Sequence, residues 1–217
     1  MIRLILLTLL ALPLFSMTIK ERFENAHEGQ YVVTEQSKLV SFMRIQSLSD
    51  KRLVLEEISL PSHKAKKIAW RRWYRDGAKG ATSHLLYEID LEKGACTNIY
   101  SPQRNASLTS SAEQLFTDLI VLSLTPIREK ERKRIGAPPQ EGLDMRKIWN
   151  PPLVQNGKKL PKTETKAYRA RWPDDGSELA GKFLELYFHE NSPFPCWMEI
   201  SNSAATFKIR LIDSGDA

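Results

Sequence analysis

Apolar and polar residues alternate with a period of two over much of the chain, the spacing of half-buried β-strands. In Leu39–Leu48, Leu39, Ser41, Met43 and Ile45 fall on one face and Val40, Phe42, Arg44 and Gln46 on the other. Arg52–Leu60 repeats the pattern beyond the tight Ser49-Asp50 connection, which predicts a hairpin. The same reasoning places strands at Tyr31–Glu35, Leu85–Leu91, Ala95–Tyr100, Thr165–Trp172, Lys182–Glu190, Cys196–Ser201 and Thr206–Asp213. Turn residues separate them: Glu92-Lys93-Gly94 and Pro173-Asp174-Asp175-Gly176.

Helical spacing is confined to three stretches. Thr18-Ile19-Lys20-Glu21 has the capping-box pattern and opens a helix to about Glu28, stopped by Gly29. Ser62 caps a second over about His63 to Asp76. Ser110 or Ser111 caps a third, whose Leu115, Phe116, Leu119, Val121 and Leu122 cover a broad face up to Pro126 and predict a largely buried helix. Residues 127–162 carry five prolines and follow no period, with Ile148 and Trp149 as expected anchors. Short connections mean antiparallel pairing, and the lack of βαβ alternation excludes a parallel nucleotide-binding sheet. The expected fold class is α+β: one large curved antiparallel sheet, an incomplete barrel of about eight strands, with about three helices packed on or across it.

Residues 1–16 resemble an export signal. Met1-Ile2-Arg3 is a short basic start, and Leu4–Phe15 is twelve uncharged, mostly apolar residues. That length suits the apolar core of a secretory signal (about 7–15 residues) and falls short of the about 20 needed to cross a bilayer. An uncleaved anchor or a buried N-terminal strand is the alternative. The expected organisation is a signal peptide over 1–16 and one domain over 17–217, working in the periplasm, secreted, or membrane-anchored by its N-terminus.

The 217 residues carry 41% hydrophobic and 27% charged side chains, which excludes disorder and collagen-like repeats. The formal charge is +6; removing 1–16 takes Arg3 with it and leaves 31 − 26 = +5. Such a mildly basic, exported chain is not expected to bind nucleic acid. Cys96 and Cys196, 100 positions apart, either form a bridge or serve as buried thiols.

Catalytic signatures are missing from the sequence. His27, His63, His84 and His189 have no metal-ligand spacing, and no nucleophile elbow, phosphate loop or dinucleotide fingerprint occurs. No metal, cofactor or enzymatic activity is expected, a hydrolase with an unrecognised site being the remote rival. Asp174-Asp175 is explained by its turn. Lys64 to Arg75 holds six cations and no acid, with Trp70, Trp73 and Tyr74 interleaved. Either the aromatics anchor this helix and the cations are solvated, or Lys66, Lys67, Arg71, Arg72 and Arg75 form a surface for a membrane or an acidic protein. Arg128–Arg134, net +3, reads as a solvated run after a helix end. Phe183–Phe188 and Phe207–Ile212 put apolar residues on both faces of their strands, so both faces need cover or one lines a cavity.

The order of a signal segment, the Thr18–Glu28 helix entering the Tyr31–Leu60 strands and the closing Phe183–Asp213 set resembles the periplasmic lipoprotein-carrier superfamily. Leu184–Ile200, a strand ending in the proline-marked turn Ser192-Pro-Phe-Pro195 and returning with Trp197, is similar to that family's late hairpin. The resemblance implies a half-barrel lidded by helices, holding a lipid, acyl chain or lipoprotein. Phe42, Trp73, Leu119, Phe183, Tyr187, Trp197 and Phe207 are the expected cavity lining. The alternative is an envelope or secreted interaction module that uses helix 63–76 and takes no small molecule.

Overall fold

A computed structural model describes residues 16–108, 111–161, 163–190, 192–201 and 206–217. Most of the sequence-predicted signal segment and the Ser110 cap lie outside the described residues. The chain begins with β1 (Met17–Thr18) and α1 (Ile19–Arg22), which continues as one 3-10 turn over Phe23–Asn25. It then runs through β2 (Gln30–Gln36), β3 (Leu39–Leu48) and β4 (Arg52–Pro61) to α2 (Trp70–Arg75). Next come β5 (Ser83–Asp90), β6 (Ala95–Ser101), β7 (Ala106–Ser107), α3 (Ser111–Ile120) and β8 (Ser123–Pro126). After a small hairpin of β9 (Val154–Gln155) and β10 (Lys158–Lys159), the chain closes with β11 (Thr165–Arg171), β12 (Phe183–His189), β13 (Pro195–Ser201) and β14 (Thr206–Asp216).

The expectation of an incomplete barrel of about eight strands is overturned. Among the described residues there are fourteen strands, twelve of them in one open antiparallel sheet of order β1-β8-β11-β12-β13-β14-β2-β3-β4-β5-β6-β7. β1 and β7 are its free edges and do not pair. The α+β class is overturned with it: the described residues are mostly antiparallel sheet, with α-helices of only four, six and ten residues. Nine long strands lie at the alternating stretches; the additional ones are two to four residues long, too short to carry a period.

The connection between the edges forces the sheet to bend. Twelve strands at about 4.8 Å would span over 50 Å if flat. Yet β7, at one edge, and β8, beside the other, are joined through α3, whose ten residues cover only about 15 Å. The sheet therefore curls, and one core gathers Cys96 and Ile99 of β6 with Leu124 of β8 and Leu184, Leu186 and Phe188 of β12.

The opposite sheet face carries two separate covers. Over β2–β4 lies α2: Trp70 packs with Tyr31, Val33, Val40, Phe42 and Leu60 in a second apolar cluster. Over β11–β13 lies the proline-rich segment. Trp149 meets the rings of Tyr187 and Trp197 edge-on at 5.3 and 5.2 Å, and the N–H groups of Asn156 and Gly157 donate to Ser214 O and Asp213 Oδ1.

Candidate functional site

The capping box at Thr18 forms as the sequence predicts, its hydroxyl accepting from Glu21 N–H while the Glu21 carboxylate takes the Thr18 N–H. This starts α1 where β1 ends, so Ile19 and Phe23 face inward over the sheet. α3 packs on β6 and touches α1, presenting Leu115, Phe116, Leu119 and Ile120 to the same space. Between these helices and the sheet lies a cavity of about 400 Å³. Its floor is the row Val32, Thr34, Ser41, Met43, Leu55 and Glu57, with Met198 and Ile209 beyond, and the Pro193-Phe194-Pro195 turn closes one end.

Its wall is almost wholly apolar, and Glu57 is its one charged side chain among the described residues. Tyr87 donates its hydroxyl to Glu57 Oε2 at 2.6 Å and Ser59 donates to Oε1 at 3.2 Å. Ser59 in turn hydrogen-bonds Ser41 at 2.8 Å. Burial, followed by the charge of Glu57, raises the Tyr87 hydroxyl well above the ordinary tyrosine range, so it remains a donor. Its ring stacks on Phe116 at 4.1 Å, joining α3 to the polar end of the cavity. Leu39 and Leu115, also in the wall, are more than two-fifths exposed and mark the open side.

Only one of the seven expected lining residues, Leu119, lines this cavity. Register explains the misplacements. Met43 pairs Glu57 on the cavity face, so Phe42, which pairs Val33 and Ile58, points to the other side and is buried under α2. Trp73 sits there too, edge-on to Phe42 at 6.1 Å. Tyr187 pairs Trp197 on the face covered by Trp149, and Phe183, four residues earlier on β12, shares that face and is exposed. Phe207 is on the cavity face but at the strand end, 42% exposed and outside the wall. Cys96 and Cys196 are separate buried thiols, and burial pushes Cys196 up to about 12.

The residues that sequence reasoning missed are Glu57 and Tyr87. Both sit on predicted strands, and their shared face follows from the pairing Leu55↔Tyr87 and Glu57↔Leu85 across β4 and β5. Nothing in the alternation says which face is roofed.

The basic segment is shorter as a helix than predicted. Residues 62–64 form a 3-10 turn, Lys67 takes φ +62°, and the helix begins at Trp70. Trp70 is buried and Trp73 half-buried, while Lys66, Lys67, Arg71, Arg72 and Arg75 are exposed. Only Arg72 of these five is ion-paired among the described residues, to Asp76 at 3.4 Å. Beneath α2, Glu56 accepts from His84 Nε2 at 2.8 Å and from the Tyr74 hydroxyl at 2.9 Å, with Arg44 Nε at 3.3 Å. A wider groove of about 900 Å³ is lined by Arg132, Arg134, Arg146 and Lys166. All four are engaged internally: Arg132 with Asn150 and Thr165, Arg134 and Arg146 with Asp144, and Lys166 with Glu190 at 3.1 Å. Asp175 accepts from Ser177 N–H and Trp172 Nε1, which fixes it in the turn, and hydrogen bonding from Ser177 first and Trp172 second holds its carboxyl at about 2. No group of three or more potential metal ligands occurs among the described residues, and none of their helices is long and apolar enough to cross a membrane.

A family model described as the CT021 protein matches residues 41–161, more than half the chain. The structure of the hypothetical protein CT021 from Chlamydia trachomatis is similar over 93% of this chain and 94% of that one, with a TM-score of 0.64 and 18% identity. That identity makes the likeness one of fold. No curated protein matches the sequence.

Proposed function

We propose that this chain, which belongs to the CT021 protein family, binds a small apolar or amphipathic molecule in the cavity between α1, α3 and the sheet, without catalysis. The observation that carries this reading is the cavity itself: about 400 Å³, apolar on most of its wall, with a hydrogen-bonded carboxylate at one end. Ligand sites commonly combine such a volume with an apolar lining and a few fixed polar groups. The export reading of residues 1–16 belongs to the same proposal, since a carrier of apolar molecules outside the cytoplasm needs a signal of that kind.

The test is uptake of a non-ionic, environment-sensitive dye, paired with mass spectrometry of solvent extracts of the purified protein. We expect saturable fluorescence at one site. Leu119→Trp and Ser41→Phe, which project bulk into the cavity, each weaken it at least tenfold with the melting temperature retained. Absence of uptake, or uptake unchanged in both folded variants, overturns the reading.

A second reading is favoured by one observation, the exposed cations around α2, mostly without an ion-pair partner among the described residues. There the segment docks an acidic protein or anionic membrane surface. Salt-sensitive association should then vanish when Arg71, Arg72 and Arg75 are all replaced by Glu; unchanged binding rejects it.

A further inference from the structure

From the cavity chemistry we infer that the bound amphiphile carries a cationic or uncharged hydrogen-bond-donating head group, and that an anionic head is selected against by Glu57. The inference rests on the cavity being a ligand site. Its ground is the wall's charge: Glu57 is the single charged lining residue among the described residues, and it takes part in none of their ion pairs. Its two known partners, Tyr87 and Ser59, are neutral donors. A carboxylate offers about four acceptor sites, so two remain for a ligand that can donate. A fatty carboxylate or a lipid phosphate brings a second negative charge and no donor beside Glu57, and like charges next to a largely apolar wall repel. An amine or alcohol on an apolar chain satisfies the free acceptor sites, and an ammonium also neutralises the charge. The cations of the α2 segment cannot relieve this, because that segment covers the other face of the sheet.

The experiment is displacement of a non-ionic dye from the full chain by n-decylamine, n-decanol and decanoate at neutral pH. We expect decanoate to bind at least tenfold more weakly than decylamine, with decanol between them. Glu57→Gln keeps an acceptor for Tyr87 and should reduce the amine–carboxylate ratio to near one. Met43→Lys places a cation opposite Glu57 in the adjacent strand, cancels its charge and should likewise bring the ratio near one; it serves if the first variant melts early. Decanoate within tenfold of decylamine, or a preference that survives both folded variants, overturns the inference while leaving the cavity reading intact. If neither the non-ionic dye nor any of the three ligands enters the wild-type protein, the cavity reading itself fails and this inference with it.

Discussion

Glu56 and Glu57 are adjacent in the chain and face opposite sides of the same sheet, each held by a tyrosine hydroxyl: Tyr74 at 2.9 Å and Tyr87 at 2.6 Å. One carboxylate closes a polar knot under α2; the other ends the apolar cavity. The pleat alone produces this, since successive side chains on a strand point to alternate faces.

Glu56 should be a stability residue rather than a binding one. It is 6% exposed and is the shared partner of His84, Tyr74 and Arg44, whose guanidinium also lies 4.7 Å over the Tyr74 ring. Glu56→Ala strands the Arg44 charge in a poorly hydrated place, and breaking such a pair costs about 3–5 kcal/mol. A shifted guanidinium unfolding midpoint with unaltered dye affinity is the expected pair of results. Loss of dye binding in a folded Glu56→Ala protein would show instead that the two sheet faces are coupled.

Alkaline pH should unfold the protein through its buried tyrosines. Burial, reinforced by Asp213, Glu56, Glu57 and Glu185 respectively, raises the hydroxyls of Tyr31, Tyr74, Tyr87 and Tyr187, Tyr74 to about 12 and the rest higher. In the unfolded chain they titrate near about 10. The unfolded state therefore loses its protons first, and the stability contributed by the neutral hydroxyls is complete below about pH 10. It declines as pH rises from there through the folded values, by at most about 1.4 kcal/mol per pH unit for each tyrosine. Urea midpoints measured on both sides of this window, with the tyrosinate absorbance followed in parallel, check it. A midpoint independent of pH across the window would contradict the buried hydrogen bonds.

How much of this was legible in the sequence follows from what period two can and cannot encode. Leu39–Leu48 and Arg52–Leu60 alternate because each strand has two unlike faces, and β3 and β4 lie at those positions. Alternation separates Phe42 from Met43 but does not say which of them faces a cavity. That depends on where α1 and α3 cross the sheet: α1 is held by His189 and Phe194 at the far end of the chain, and α3 by β6 and Tyr87. Val121 and Leu122 extend a helical pattern, yet β8 begins at Ser123 because Leu124 and Thr18's neighbour Met17 pair there. Tyr187 and Trp197 read as cavity aromatics because the proline-rich segment that covers them has no period of its own.

That cover should depend on Trp149. Its ring is wedged against Tyr187 and Trp197, and its N–H donates to Lys133 O at 2.8 Å. Lys133 carries the same segment into ion pairs with Glu199 at 2.7 Å and Glu185 at 3.4 Å. Burial pushes Glu185 up, but Arg169 and Lys133 outweigh it and leave it below the usual range. Trp149→Ala removes the aromatic anchor, a loss of about 3 kcal/mol for a largely packed tryptophan. Limited proteolysis should then cut between Ile135 and Arg146 well before the sheet unfolds globally. Equal resistance in wild type and variant would mean that the ion pairs hold the segment unaided.

Arg22 ties the roof of the cavity to its end wall. Its Nη2 group donates to the carbonyls of His189, Glu190 and Ser192 at 2.8, 3.1 and 2.6 Å, and the guanidinium lies 4.9 Å over the Phe188 ring. Phe23, one residue on, meets Phe194 edge-on at 5.7 Å. The β12–β13 turn is thus held by α1, and Pro193-Phe194-Pro195 stays against the cavity. Hydrogen bonds from a charged donor contribute about 1.5–3 kcal/mol, so Arg22→Ala should cost about that much globally and more locally. Arg22→Lys should recover little, because an ammonium lacks the planar fork and the ring-stacking face. We expect amide exchange at the ends of β12 and β13 to accelerate more than that of β3 and β4, which rises only by the global loss. Dye dissociation should quicken severalfold, since the turn that closes the cavity can swing away. A dissociation rate equal to wild type, in a variant whose β12–β13 amides do exchange faster, would move the ligand's exit to the side marked by Leu39 and Leu115.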